Sequence, residues 1–268
     1  MWVHLISVIL FGDMFLDVDL QKIHFEEFLT SEQECGGGVK SKETLVLLHG
    51  WGGNTKSLRP LAEMIAPHDK TILIDLPGFG ESSNPPKTWG VEEYTKCIGE
   101  FVKKMGFKDV VLVGHSFGAT IALSLASEHL DSIKKVVLCA PSYRRAQKPT
   151  TSSLYSFAKP IFEMFPFVKR VVYKMFYPNS DLMRFPHLQD NFKKIIHDDC
   201  SGKAKQVKIP TLILWGSEDN QTPVTDAHTL HSLIPHSLLE IYPDHTHNLP
   251  VKFPEIISKR INDFLKNS

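Results

Sequence analysis

The sequence GHSFG at residues 114–118 carries the clearest catalytic signature in the chain. It follows an apolar, β-branched run at 110–113, which is typical of a buried strand, and it precedes an Ala- and Leu-rich stretch at 119–129, which predicts a helix. Between a strand and a helix, G-x-S-x-G forms a tight corner that exposes the serine hydroxyl, at the cost of a strained serine backbone. Ser116 is therefore the candidate nucleophile. The backbone N–H of Phe117 lies at the helix start, where it can stabilise an oxyanion.

A serine hydroxyl is a weak nucleophile at neutral pH, so the same site needs a base and a carboxylate that orients the base. Two stretches could supply them. A predicted strand at 210–215 runs into GSEDN at 216–220, and another at 237–242 runs into PDHTH at 243–247. Both stretches follow strand ends at the edge of the sheet that carries Ser116. The order serine, acid, histidine along the chain is the one expected for this architecture.

The elements that must position these residues alternate along the chain. Strands are predicted at 21–29 (an edge strand), 44–48, 70–76, 110–113, 133–140, 210–215 and 237–242, and helices at 58–65, 91–105, 119–129, 224–233 and 253–266. This alternation predicts an α/β fold with a mainly parallel sheet covered on both faces.

The N-terminal residues 1–16 are strongly apolar. They lack the basic residues and the small cleavage-site residues of a secretory signal, and the run is shorter than a bilayer-spanning helix. We interpret it as one or two strands of the sheet, or as an apolar segment that covers the sheet. A membrane-associated N-terminus is the competing interpretation that stays open.

Residues 141–208 contain no strand pattern and are rich in aromatic residues and prolines. They predict several short helices that form a lid, inserted into a core made of residues 1–140 and 209–268. Such a lid would cover the carboxyl ends of the strands, where parallel sheets bind ligands. Residues 141–180 hold seven basic residues and one acidic residue. We favour a solvated lid with an apolar underside over an interfacial membrane helix.

Composition excludes several classes of function. The 268-residue chain has a formal net charge of zero, which argues against nucleic acid as the main partner. Its four cysteines are widely spaced and form no C-x-x-C, so neither a zinc site nor a disulfide framework is predicted, and a reducing, cytoplasmic location is expected. HDDC at 197–200 is interpreted as a polar turn rather than a metal cluster. No loop matches a P-loop, so no cofactor and no metal are expected.

Five separated motifs, in order along the chain, resemble the α/β-hydrolase superfamily. They are HGWGG (49–53), DLPGFGESS (75–83), GHSFG (114–118), PTLILWGSEDNQTP (210–223) and HTHNLPVKFPE (245–255). The resemblance covers the chain from about residue 44 onward. Within the superfamily the chain looks most like lidded serine esterases and the related carbon–carbon bond hydrolases. It implies the α/β-hydrolase fold, a mainly parallel, doubly covered sheet with an inserted helical lid.

By position, the resemblance implies Ser116 as the nucleophile, Asp219 as the acid and His247 as the base. It also implies the backbone N–H of Trp51 as the second oxyanion donor beside that of Phe117.

Two of these roles have competing candidates in the sequence. Glu218 adjoins the predicted acid, and His245 competes with His247 because a threonine precedes His247 where the family usually has glycine. Structural roles are expected for His49, which fixes the shape of its loop, and for Asp75, which closes a turn.

The expected activity is cofactor-independent hydrolysis of carboxylic esters of small to medium apolar substrates through an acyl-enzyme. Lactone or thioester hydrolysis and cleavage of a carbon–carbon bond in a diketone use the same residues and stay open. A non-catalytic small-molecule receptor and a membrane-surface lipase also stay open. Serine at position 116 disfavours a haloalkane dehalogenase or an epoxide hydrolase, which by resemblance would have aspartate there. The oligomeric state leaves no signal in the sequence.

Overall fold

The computed structural model describes residues 8–30, 43–67, 69–145 and 184–268. In these ranges, strands and helices alternate around one eight-stranded sheet. The strands are β1 Val8–Val18, β2 Gln21–Thr30, β3 Thr44–Leu48, β4 Lys70–Ile74, β5 Val110–His115, β6 Ile133–Cys139, β7 Thr211–Gly216 and β8 Ser237–Tyr242. The helices are α1 Thr55–Ile65, α2 Val91–Lys104, α3 Phe117–Ala126, α4 Gln189–Ile195, α5 Ser201–Ala204, α6 Val224–Leu233, α7 Leu249–Lys252 and α8 Pro254–Asn267, and a 3₁₀ turn spans Pro186–Leu188.

The strand order across the sheet is β1-β2-β4-β3-β5-β6-β7-β8. The pairs β1–β2 and β2–β4 are antiparallel, and every pair from β4 to β8 is parallel. The mainly parallel sheet predicted from the alternating pattern is therefore confirmed. Because β5, β7 and β8 run in the same direction, the segments that follow them emerge at one edge of the sheet.

The N-terminal apolar stretch forms the outer strand over the part of it that the structure describes. Strand β1 pairs with β2 from Val8 opposite Thr30 to Val18 opposite Gln21. The interpretation of this stretch as a strand is thus confirmed for residues 8–16, and residues 1–7 lie outside the described ranges. The expectation that residues 21–29 form an edge strand is wrong, because β1 covers the free side of β2.

Both faces of the sheet are buried, which explains why the central strands are continuously apolar. All six residues of β5 are buried. On one face, α2, α3 and α6 contribute side chains such as Phe101, Ile121 and Leu230. On the other face, α1 and α8 contribute side chains such as Leu61 and Ile261. Each such side chain, fully buried, stabilises the fold by about 1.5–3 kcal/mol.

The predicted lid region is described in two pieces, residues 141–145 and 184–208. These pieces hold only short helical segments, in keeping with the expected absence of strands there. Residues 146–183, on which most of the lid prediction rests, lie outside the described ranges, so the division into core and lid stays a prediction. Among the helices that the structure describes, none combines the length and the apolarity needed to cross a membrane.

Candidate active site

Ser116 occupies a strained corner between β5 and α3. Its backbone dihedrals are φ 52° and ψ −114°, in a region that side chains other than glycine rarely adopt. The two flanking glycines permit this corner. A Cβ at Gly114 would lie 2.4 Å from the Cα of Ala119, and a Cβ at Gly118 would lie 2.2 Å from the carbonyl oxygen of Leu48. Both glycines of the G-x-S-x-G pattern are therefore needed for steric reasons, as predicted from the sequence.

The three side chains predicted from the sequence form one hydrogen-bonded chain. His247 Nδ1 lies 2.7 Å from Asp219 Oδ2, and His247 Nε2 lies 2.9 Å from Ser116 Oγ. An ionised carboxylate can only accept hydrogen bonds, so Nδ1 carries a proton and donates a hydrogen bond to Asp219. The lone pair on Nε2 then accepts the hydroxyl hydrogen of Ser116, which is the arrangement that a general base needs.

The carboxylate of Asp219 is fully engaged by neighbouring donors. Oδ1 accepts the backbone N–H groups of Gln221 and Thr222, each at 2.9 Å, and Oδ2 accepts the Thr222 hydroxyl at 2.8 Å. Burial raises the pKa of Asp219, but the hydrogen bonds from His247 and Thr222 outweigh burial, and the pKa is lowered overall. The group is therefore ionised at neutral pH. No pattern in the sequence singles out Thr222, which also lies 3.2 Å from His247 Nδ1.

His115 supports the candidate base from behind. Its Nε2 donates to the backbone carbonyl of His247 at 3.0 Å. Burial, followed by the proximity of His247, lowers the pKa of His115 to about 4, so the ring is neutral near pH 7. Sequence reasoning missed this contact, because the two histidines are 132 positions apart in the chain.

The competing residues lie elsewhere. The ring of His245 packs against Phe253 with centroids 4.4 Å apart, and its Nδ1 lies 2.5 Å from the carbonyl oxygen of Pro243. Glu218 is exposed. The geometry therefore brings Ser116 together with Asp219 and His247 rather than with either competitor.

The HGWGG loop lies directly against the serine. A Cβ placed on Gly50 would be 3.2 Å from the Cβ of Ser116. His49 holds the loop in shape, since its Nδ1 donates to the Gly50 carbonyl at 2.8 Å and its Nε2 accepts the Leu76 N–H at 3.0 Å. Burial lowers the pKa of His49, which keeps the ring neutral. Trp51, predicted as an oxyanion donor, is the next residue of this loop after Gly50.

Aromatic rings surround this loop. The Trp51 ring contacts those of Phe79, Phe117 and Phe192, with centroids 4.9, 5.5 and 5.2 Å apart. Phe185 extends the cluster through Phe79 at 5.2 Å. Phe185 and Phe192 come from the predicted lid region, so its described carboxyl-terminal part packs directly against the core beside the candidate oxyanion loop.

The polar stretch at 197–200 is a turn that ties the same region to the core. Asp198 Oδ2 accepts the backbone N–H of Val91, the first residue of α2, at 2.9 Å. Asp199 Oδ1 accepts the N–H of Ser201, also at 2.9 Å. These carboxylates serve backbone donors, as expected for a polar turn.

Comparison with known proteins places the chain in a family. The sequence pattern that defines the alpha/beta hydrolase fold family matches residues 43–180, and the chain belongs to that family. The solved structure of the enol-lactonase from Burkholderia xenovorans has the same fold: it superimposes with a TM-score of 0.72 at 19% identity, covering 95% of this chain and all of the other.

Several curated relatives are similar over most of their length. The uncharacterised hydrolase YugF of Bacillus subtilis is 27% identical over 84% of this chain and 90% of its own. Epoxide hydrolase 3 of Xenopus tropicalis is 25% identical over 85% and 73%, and the pimeloyl-[acyl-carrier protein] methyl ester esterase of Vibrio vulnificus is 24% identical over 82% and 93%. Together with the family match, these relatives identify the chain as a hydrolase. The bonds that their names specify differ.

Proposed function

We propose that the chain is a serine hydrolase that cleaves carboxylic esters of small to medium apolar substrates. The observation that carries the proposal is the hydrogen-bonded chain from Ser116 through His247 to Asp219, with Ser116 held in a strained corner. A serine with a base at 2.9 Å is poised for nucleophilic attack on a carbonyl carbon.

The reaction follows from the positions of the protons. His247 Nε2 takes the hydroxyl proton as Ser116 Oγ attacks the ester carbonyl, and the imidazolium that forms is stabilised by the ionised Asp219. His247 then returns the proton to the leaving alcohol, and an acyl-enzyme remains on Ser116. Water, deprotonated by the same nitrogen, then attacks the acyl carbon; the bond to Ser116 Oγ breaks, His247 returns the proton to Oγ, and the acid is released.

The oxyanion that forms on the carbonyl needs two donors. We assign this role to the backbone N–H groups of Phe117 and Trp51. Phe117 is the first residue of α3, and the first N–H groups of a helix have no partner within the helix. The approach of the HGWGG loop to Ser116 supports Trp51 as the second donor. Losing one such donor typically costs about 3 kcal/mol of transition-state stabilisation.

Ester substrates are favoured by two further observations. The methyl ester esterase of Vibrio vulnificus is a relative over most of its length. The half-buried ring of Trp51, which packs against Phe79 and Phe117, adds apolar surface to the loop beside the nucleophile, which suits an apolar acyl group. The epoxide hydrolase relative does not weaken this proposal, because that chemistry would need aspartate at position 116. A small-molecule partner and a cytoplasmic location stay predictions from the sequence.

The test is a series of initial rates on p-nitrophenyl esters with acyl chains from acetyl to decanoyl. Wild type is expected to turn over, and Ser116→Ala is expected to lower kcat by about 10⁴-fold or more. His247→Ala should fall comparably, whereas the matched control His245→Ala should stay within a few-fold of wild type. Full activity in Ser116→Ala would refute the assignment of the nucleophile. A wild type that cleaves lactones or diketones and no linear ester would refute the substrate class only.

A further inference from the structure

A second carboxylate–histidine pair lies in the sheet, away from the candidate active site. His24 on β2 places Nδ1 2.8 Å from Oδ2 of Asp75, the residue that follows β4, and both side chains are almost fully buried. The Asp75 carboxylate also accepts the backbone N–H groups of Thr55 at 2.6 Å and Glu81 at 2.9 Å. An ionised carboxylate only accepts hydrogen bonds, so His24 Nδ1 carries a proton and donates a hydrogen bond to Asp75.

The other nitrogen of His24 faces a second carboxylate. Nε2 lies 3.2 Å from Asp13 Oδ1, and a carboxylate oxygen of Glu26 lies within 4.8 Å of both atoms. A lone pair facing a carboxylate oxygen is repulsive unless a positive charge bridges the two, and that charge is either a proton or a metal cation. Two ligands of a tetrahedral zinc ion with bonds of about 2.0–2.1 Å lie about 3.3 Å apart, which matches the spacing of Nε2 and Oδ1.

The surroundings give an ion access to these atoms. A cavity of about 480 Å³ is lined by Asp13, His24, Glu26, Asp75 and Arg59, among others. Water can therefore reach the three candidate ligands and complete the coordination of an ion.

The guanidinium of Arg59 would compete with a metal ion for Glu26. Arg59 holds Glu26 by two hydrogen bonds, from Nη2 at 2.6 Å and from Nε at 3.1 Å. The Arg59 side chain is one-third exposed, whereas Glu26 is buried. Arg59 can therefore turn toward solvent when an ion binds, and Glu26 stays in place as a ligand.

We propose that Asp13, His24 and Glu26 form a zinc site, with Asp75 as the residue that orients His24. One imidazole nitrogen and two carboxylates are a donor set that suits Zn²⁺, and a metal-ligating histidine usually donates its other N–H to a carboxylate, as His24 does. The site shares no residue with Ser116, Asp219 or His247. It joins β1 to β2 and to the turn after β4, so a bound ion would fasten the N-terminal hairpin.

The test is equilibrium dialysis and calorimetry of the metal-stripped full-length protein with ZnCl₂. Wild type should bind one zinc ion per chain saturably, with a rise in Tm. His24→Gln should weaken binding by at least about 100-fold, and Asp75→Asn, which leaves the three ligands in place, by about 10–100-fold. His236→Gln, at an exposed histidine, is the matched control and should bind as wild type does.

A second variant keeps the proposal testable if His24→Gln does not fold. Arg59→Gln removes the competing cation and should tighten zinc binding. Absence of saturable binding in the wild type would overturn the proposal. Equal affinity in His24→Gln and wild type, or weaker binding in Arg59→Gln, would also overturn it.

Discussion

Two histidines in this molecule are each oriented by a carboxylate at Nδ1, but their Nε2 atoms face different groups. His247 and His24 each place Nδ1 against a buried carboxylate beyond a strand end, at 2.7 Å from Asp219 and 2.8 Å from Asp75. The difference lies at Nε2. His247 faces a hydroxyl at 2.9 Å, and His24 faces the carboxylate of Asp13 at 3.2 Å.

That third group decides what the pair can do. A hydroxyl supplies a proton, so the lone pair of His247 can act as a base toward Ser116. An ionised carboxylate supplies no proton, so His24 Nε2 and Asp13 need a positive charge between them. A histidine held by a carboxylate is therefore insufficient evidence of catalysis. The group that faces its other ring nitrogen indicates what the pair can do.

The strongest contrast should come from replacing the two orienting carboxylates separately. Asp219→Asn should lower kcat for ester hydrolysis by about 10⁴-fold with little change in Tm, because the amide no longer stabilises the imidazolium or fixes the tautomer. Asp75→Asn should leave kcat of the folded protein within about tenfold and lower the free energy of unfolding by about 3 kcal/mol, because a buried acceptor of three hydrogen bonds is replaced in part by a donor.

Steady-state rates and urea unfolding of both variants measure this contrast. The reverse result, in which Asp75→Asn abolishes turnover and Asp219→Asn only destabilises the fold, would contradict the roles assigned to the two histidines.

A smaller effect, on stability, should come from His115, the neutral ring that supports the backbone of His247. Its pKa is about 4 in the folded protein against 6.5 for an ordinary histidine. Between these values the unfolded chain binds the proton and the folded chain does not, so this residue makes the fold less stable as pH falls from 6.5 to 4. The loss amounts to about 3 kcal/mol at pH 4 and vanishes above pH 7.

His115→Gln keeps a donor for the His247 carbonyl and removes the titration. Urea unfolding at pH 4.5 and pH 7.5 should therefore show a smaller decrease in stability for this variant than for wild type. An equal decrease in both proteins would mean that His115 is protonated as readily in the folded state as in the unfolded one.

The parts of the site that could be predicted from the sequence depend on local geometry. The serine corner needs a strand, two glycines and a helix within about twenty residues, and all of these are visible in one stretch. Asp219 and His247 follow strands whose ends had to meet at one edge, and resemblance to a family then chose between neighbouring residues.

Contacts between distant segments could not be predicted in this way. The support of His247 by His115, the hydroxyl of Thr222 on Asp219 and the pairing of His24 with Asp75 all depend on how elements pack in three dimensions. The prediction of residues 21–29 as an edge strand was wrong for the same reason, because their pattern does not reveal that β1 pairs with the free side of β2. The helix predicted at 119–129 begins two residues earlier, at Phe117, because the turn at Ser116 leads directly into it.

Covalent labelling can establish whether Ser116 is a nucleophile activated by His247. A fluorophosphonate should add one phosphonyl group to the wild-type chain, on the peptide that contains Ser116, with parallel loss of esterase activity. Ser116→Ala should take up no label under the same conditions, and His247→Ala should react far more slowly. Stoichiometric labelling of Ser116→Ala, or labelling of the wild type at another residue with loss of activity, would show that the nucleophile lies elsewhere.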